Sequence, residues 1–389
     1  MMHLTPSFIK TDKFDNLFSD LTCLNLALYI VTTVFIHSTV FPAQHDLIHK
    51  AMWASFFIPF LIFGYYFLRG KFTYIECVIY ALLILMGVYI RKNTGTGEQI
   101  LFIIYTIICR FVDGDKFLKT GFWTLLISLA IVFLVSFITK NPGANATQIR
   151  YGKTRIRYGL GFGYTTLSDN YFLHAVILAP FVIKKWNAIH YIVFAAIATI
   201  LFIFTDTKSA FACTLLMLLL IFIRNKCPDG IIMKLISKLN IVLYFFATIS
   251  IWLLGAFYNP NSKFFTFIDK LTTGRIYLTN NGFNIWGVTL FGGSANPNFR
   301  WGYVDSSFMQ ILFRNGLVIL ILVVLTFTIL SYIAYKTDDK DLIIVLFILV
   351  VHSTFDPQLI MLAYDPLAAL GLYYVMRNLD KLPIPRKSK

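Results

Sequence analysis

About twelve apolar runs, several of them shorter than the ~20 residues that cross a bilayer, recur along this chain, and they leave few folds open to it. They fall roughly at 21–41, 51–68, 72–89, 98–112, 117–138, 171–183, 189–204, 209–223, 236–257, 306–335, 342–355 and 361–376. With 58% hydrophobic and only 14% charged residues and a mean hydropathy of +0.71, the composition excludes an ordinary soluble domain. A lipid-facing backbone must satisfy its hydrogen bonds internally, and the runs are too continuous for the in-out alternation of a barrel. The expected fold is therefore an all-α polytopic integral membrane protein, a single polytopic domain over residues 1–389, with a large extracytoplasmic loop between helices 9 and 10.

Charge orients the bundle. With both termini cytoplasmic, about 20 of the 34 Lys and Arg residues lie inside, as the positive-inside rule requires. Lys10, Asp12, Lys13, Asp15 and Asp20 precede the first run, so it is expected to remain rather than be cleaved as a secretory signal. Cys23, Cys77, Cys109, Cys213 and Cys227 lie in or beside apolar runs without a C-x-x-C pair, which predicts free, buried thiols.

The same orientation puts two long loops outside, at 139–170 and 258–305. The first contains "RYGKTRIRYGLGFG", in which Arg150, Lys153, Arg155 and Arg157 crowd into eight residues without an acid. Such cations repel one another unless an anion is near, and at an outer membrane surface a phosphate suits arginine best. Gly152, Gly159, Gly161 and Gly163 would let backbone amides approach the same oxygens. Tyr164 breaks the G-x-G-x-x-G spacing, and no dinucleotide fold is expected.

The second loop reads as a capped amphipathic helix from Arg275 to about Trp286, a turn at Gly292 and Gly293, an aromatic stretch, and a helix opening at Asp305 or Ser306. Asp305 stands where an N-cap would, and equally where a base facing the outer mouth would. Arg300 and Trp301 flank it, with Phe291, Phe299 and Tyr303 as belt aromatics or sugar-stacking faces. Asp206 and Lys208 read as a local turn, whereas His352, Asp356 and Asp365 would cap short helices or line a cavity. His45, Asp46 and His49 are the nearest approach to a metal set.

Four stretches together make the chain resemble the O-antigen ligase and Wzy-type polysaccharide polymerase superfamily: "RIRYGLGFGYTTLSDN", "TDTKSAFACTLLMLLL", "TGRIYLTNNGFNIWGVTLFGG" and "VDSSFMQILFRNG". The resemblance implies metal-independent, inverting glycosyl transfer without a cofactor on the outer face of the bacterial cytoplasmic membrane. The donor would be a growing glycan on a polyprenyl diphosphate and the acceptor a lipid-linked repeat unit. Carried across, Arg275 and Arg157 hold the diphosphate, while Asp305 replaces the histidine that ligases place at the start of the helix after the second loop; the charge of Arg150, Lys153, Arg155 and Arg300 nearby in sequence is expected to help neutralise the same group. That replacement points to a capsular or exopolysaccharide polymerase. Implied partners are membrane lipid, a flippase and a chain-length regulator; no nucleic acid is expected. Rival readings are an O-antigen ligase, a flippase or other transporter, which should show an internal repeat, and an O-acyltransferase, which should show a His-centred set.

Overall fold

The computed structural model describes residues 13–94, 97–150, 153–293 and 304–378. Fifteen α-helices and one β-hairpin occupy them. The first half runs α1 (Lys13–Ile36), α2 (His45–Leu68), α3 (Tyr74–Thr94), α4 (Glu98–Ile108), α5 (Gly114–Thr139), the strands β1 (Asn145–Arg150) and β2 (Lys153–Tyr158), then α6 (Leu167–Val182). The second runs α7 (Ala188–Thr205), α8 (Lys208–Lys226), α9 (Ile231–Ala256), α10 (Lys263–Leu271), α11 (Arg275–Trp286), α12 (Ser307–Asn315), α13 (Leu317–Thr337), α14 (Lys340–Phe355) and α15 (Pro366–Asn378).

Among the described residues, eight helices are long and apolar enough to cross a membrane: α1, α2, α3, α5, α7, α8, α9 and α13. The polytopic α-helical expectation stands at that level, with two corrections. The run at 98–112 yields only the 11-residue α4 and a 3-10 turn at Cys109–Phe111. The run at 306–335 is broken in two by Gly316, whose φ of 92° and tight approach to Leu290, where a Cβ would lie 2.3 Å from the carbonyl oxygen, end α12 and start α13.

Burial divides the helices by role. In α6 every residue from Ser168 to Phe181 is buried, and in α14 nearly all of Leu342–Ser353 is. These short helices pack against each other and against α5, α8 and α9, so they form the centre of the bundle. The long helices surround them and turn large apolar side chains outward, as Leu61 (73% exposed) and Phe137 (84%) illustrate. A contiguous apolar exterior of this kind needs lipid rather than water around it.

The two ends of the bundle differ in chemistry. At one end, ion pairs join Arg110 to Glu76, Lys116 to Asp20, Arg224 to Asp341 and Lys340 to Asp229. Asp113, Asn187 and Asp339 cap α5, α7 and α14 there, each accepting a backbone N–H three residues on. The other end carries the hairpin, the α7–α8 turn, α10, α11 and the start of α12. The hairpin is an exception to the all-α expectation: β1 and β2 pair antiparallel from Asn145↔Tyr158 to Arg150↔Lys153. Cys227 corrects another detail, being an exposed thiol, and Cys77 is half-buried.

Candidate functional site

The hairpin settles what surrounds two of the four clustered cations. Arg155 reaches Asp206 at 2.5 Å, so the anion it needs comes from the protein. Asp206 can offer its carboxylate because it closes α7 in a left-handed conformation (φ 49°), which is more than the local turn its sequence suggests. Arg157, 8% exposed, donates from Nε to the Thr205 carbonyl and from Nη2 to Thr207 Oγ1. Asp169, in the first turn of α6, lies within electrostatic reach of Arg157 and bonds Thr205. Arg150 and Lys153 face each other across the hairpin turn by register, and their side chains lie outside the described residues.

The glycines beside the hairpin do something other than expected. The amide of Gly159 donates to Ala144 O, that of Gly161 to Pro142 O and that of Gly163 to His37 O. A Cβ at Gly159 would lie 2.4 Å from Phe162 O, so close backbone packing accounts for the residue type. These amides are spent on protein carbonyls and are not aimed at a ligand. Gly152 lies outside the described residues.

The second cluster is built around Arg275. Thr273 (φ 59°) and Gly274 (φ 90°) swing the chain out of α10, and α11 begins at Arg275 with no side-chain cap from Gly274. The carboxylate of Asp269 takes that role, accepting from Tyr277 N at 2.9 Å. Expecting α11 over Arg275–Trp286 was correct, but its cap is supplied by α10, an element with no counterpart in the sequence reading. Asn280 ties α11 to the Gly255 carbonyl of α9, and Gly282 lets Phe313 of α12 approach.

Held there, Arg275 (side chain 18% exposed) lies between two carboxylates. Its Nε is 3.4 Å from Asp305 Oδ2 and its Nη2 3.7 Å from Asp356 Oδ1, while Nη1 donates to Thr273 Oγ1 at 3.0 Å. Asp305 is not the cap of α12; Ser306 occupies that position, and the Asp305 carboxylate, 37% exposed, turns to Arg275. Asp356 follows the last turn of α14 and is buried; its second oxygen lies 3.5 Å from His352 Nε2. Burial pushes the Asp356 carboxyl up to about 6, while Arg275, Ser209 and Asn170 pull it back. Ser307 locks α12 to this loop by donating to Asp356 O and accepting from Leu359 N.

The two clusters share a floor. The start of α6 offers Asp169 to Arg157 and the adjacent Asn170 to Asp356. The start of α8 does likewise, with Thr207 on Arg157 and Ser209 beside Asp356. Asn170, Ser209 and Asp169 went unrecognised in the sequence as site residues, although "SDN" and "TDTKSA" sit inside the quoted stretches; their type is common in helix caps, and only the fold brings them together. Arg300, Trp301, Phe299 and Tyr303 lie outside the described residues. His45 and His49 stack at 4.7 Å, and among the described residues no three His, Cys, Asp or Glu side chains gather as a metal set. No family model, curated protein or solved structure matches the chain.

Proposed function

We propose that this chain is a polytopic glycosyltransferase that polymerises polyprenyl-diphosphate-linked repeat units on the outer face of a bacterial cytoplasmic membrane. In this reading the chain crosses about twelve times, α4, α6, α14 and α15 serving as short crossings inside the ring of long ones, and both termini face the cytoplasm. The end rich in Arg110, Lys116, Arg224 and Lys340 is then the inner one.

One observation carries the reading: two arginines from loops far apart in the chain, Arg157 and Arg275, stand over the same polar helix starts, with a half-exposed carboxylate, Asp305, beside the second. Arg275 bonds its carboxylates only at 3.4 and 3.7 Å, looser than a direct charge-assisted hydrogen bond, so a diphosphate can take over its N–H groups. As the acceptor hydroxyl oxygen forms its bond to the anomeric carbon, the bond from that carbon to the diphosphate breaks, and the leaving oxygens take the electron pair beside Arg275. Asp305 accepts the hydroxyl proton. Asp356 is too buried for the acceptor and holds Arg275 in place.

The test is the glycan product of a null strain complemented with wild type, Arg275→Gln or Asp305→Ala, each checked for membrane expression. Single lipid-linked units accumulating on the outer leaflet in the null and both variants, against long chains from wild type, support polymerisation. Units retained on the inner leaflet would make the protein a flippase and overturn the proposal.

A further inference from the structure

A groove of about 100 Å³ runs between α3 and α4 on one side and α12 and α13 on the other. Its apolar wall includes Leu83, Met86, Phe102, Ile103, Val323 and Phe327. From Glu98 to Thr106 on α4 it follows the helix for about eight residues, ~12 Å at 1.5 Å per residue, enough for much of one lipid chain and not for a compact polar ligand.

The mouth is different. Glu98 stands in the first turn of α4 and Arg314 in the last turn of α12, and both line the groove together with Gln99 and Gln310. Neither charge is in an ion pair among the described residues, although opposite charges line one opening. Arg314 is only partly exposed, and its backbone is fixed: the Gly293 amide donates to the neighbouring Phe313 carbonyl, and Gly292 packs so closely on the Arg314 carbonyl that a Cβ would lie 2.1 Å from it. A cation and an anion held apart at the head of an apolar slot match a headgroup that also carries both signs.

We infer that this groove binds a zwitterionic phospholipid, with the phosphate on Arg314, the ammonium on Glu98 and one acyl chain along Met86, Phe102 and Val323. The groove shares no lining residue with the Arg275 cluster, although Pro357 on its wall follows Asp356 directly, and lipid binding there does not depend on glycosyl transfer. A purely anionic lipid would leave its phosphate facing Glu98 with nothing to offer that carboxylate.

The experiment is reconstitution of the full chain in nanodiscs of phosphatidylethanolamine and phosphatidylglycerol mixed equally, followed by detergent extraction and mass spectrometry of the lipid retained. Wild type should retain phosphatidylethanolamine about threefold over the bulk ratio, the scale of two partly exposed charge contacts. Glu98→Gln should abolish that preference; Arg314→Gln, which loses the phosphate contact common to both lipids, and Met86→Trp, which fills the slot, should each lower total retained lipid, and Arg314→Lys should keep both retention and preference. Thermal unfolding shows whether each variant folds. Enrichment of phosphatidylglycerol by wild type, a preference unchanged in Glu98→Gln, or total retained lipid unchanged in Arg314→Gln, would overturn the inference.

Discussion

Arg157 and Arg275 occupy the same end of the bundle and are held in opposite ways. Arg157 is nearly enclosed, with a carbonyl and a hydroxyl fitted to its N–H groups. Arg275 is gripped firmly only by Thr273 and bridges two carboxylates at distances that leave its Nε without a hydrogen bond. A guanidinium matched to fixed acceptors behaves as a fastener, since any new partner must first break those bonds. One suspended between carboxylates carries charge that a stronger anion can claim. On this contrast Arg275 is the exchanging member of the proposed diphosphate pair, and Arg157 holds the hairpin against α7 and α8 while facing the same floor.

The contrast is broken most severely at the carboxylate. Asp305→Ala should lower turnover by roughly 100-fold to 10,000-fold, as loss of a general base does, with thermal stability nearly unchanged because Ser306 begins α12. Normal chain growth by this variant in reconstituted membranes would remove Asp305 from the chemistry. Arg275→Gln follows, with a loss of roughly 100-fold to 1,000-fold in turnover. It should also destabilise the protein, because Asp356 is left buried without its cation. Arg275→Lys separates the two effects: stability recovers in part, while turnover, which needs the planar fork, recovers little.

Arg157→Ala sharpens the comparison from the other side. Removing hydrogen bonds from a buried charged group costs about 1.5–3 kcal/mol. The unfolding midpoint should therefore drop, with turnover changing in proportion to folded protein. Lost turnover at unchanged stability would make Arg157 a ligand of the diphosphate rather than a fastener.

How much of this was legible in the sequence depends on range. The membrane class and the long helices follow from run length, and α11 from its reading as a capped amphipathic stretch, all local signals. The split at Gly316 is hidden from hydropathy because the apolar run continues through it, although the Arg-Asn-Gly stretch there reads as a turn; what stops the helix is the Leu290 backbone, which packs against that glycine from elsewhere in the chain. Arg157 and Arg275 were legible as candidates, yet their difference was not. Whether a cation is already satisfied depends on Thr205, Thr207 and Asp356, 48, 50 and 81 positions away respectively (205 − 157, 207 − 157 and 356 − 275). The basic cluster seemed to demand an external anion because Asp206 is invisible as its partner until the hairpin folds back over the α7–α8 turn.

The pH response adds a smaller effect specific to the Arg275 side. Asp356 binds its proton more tightly in the folded protein, up to about pH 6, than in the unfolded chain, where carboxylates titrate near 4. The folded state thus carries the extra proton between those values. Its contribution to stability is full below about pH 4, declines as pH rises toward 6, and is flat above. Asp356→Asn should reduce the slope of unfolding midpoints measured from pH 4 to 7, and a slope left unchanged would assign it to other groups.

The smallest effect belongs to Arg155 and Asp206. Their contact is short, but the Arg155 side chain is 42% exposed and water competes for both partners. A pair of this kind contributes about 0.2–1 kcal/mol and weakens with salt. Arg155→Ala, Asp206→Ala and the double variant should therefore each shift the unfolding midpoint slightly, with a coupling inside that range that shrinks as salt is raised. Asp206 complicates the single variant, because its left-handed conformation costs an alanine more than an aspartate. Asp206→Asn keeps the backbone preference and removes only the charge, so it isolates the pair. A coupling well above 1 kcal/mol that is indifferent to salt would mean that the hairpin is clamped at both arginines, and the division of labour between fastener and exchanging charge would then begin at Arg155 as well as Arg157.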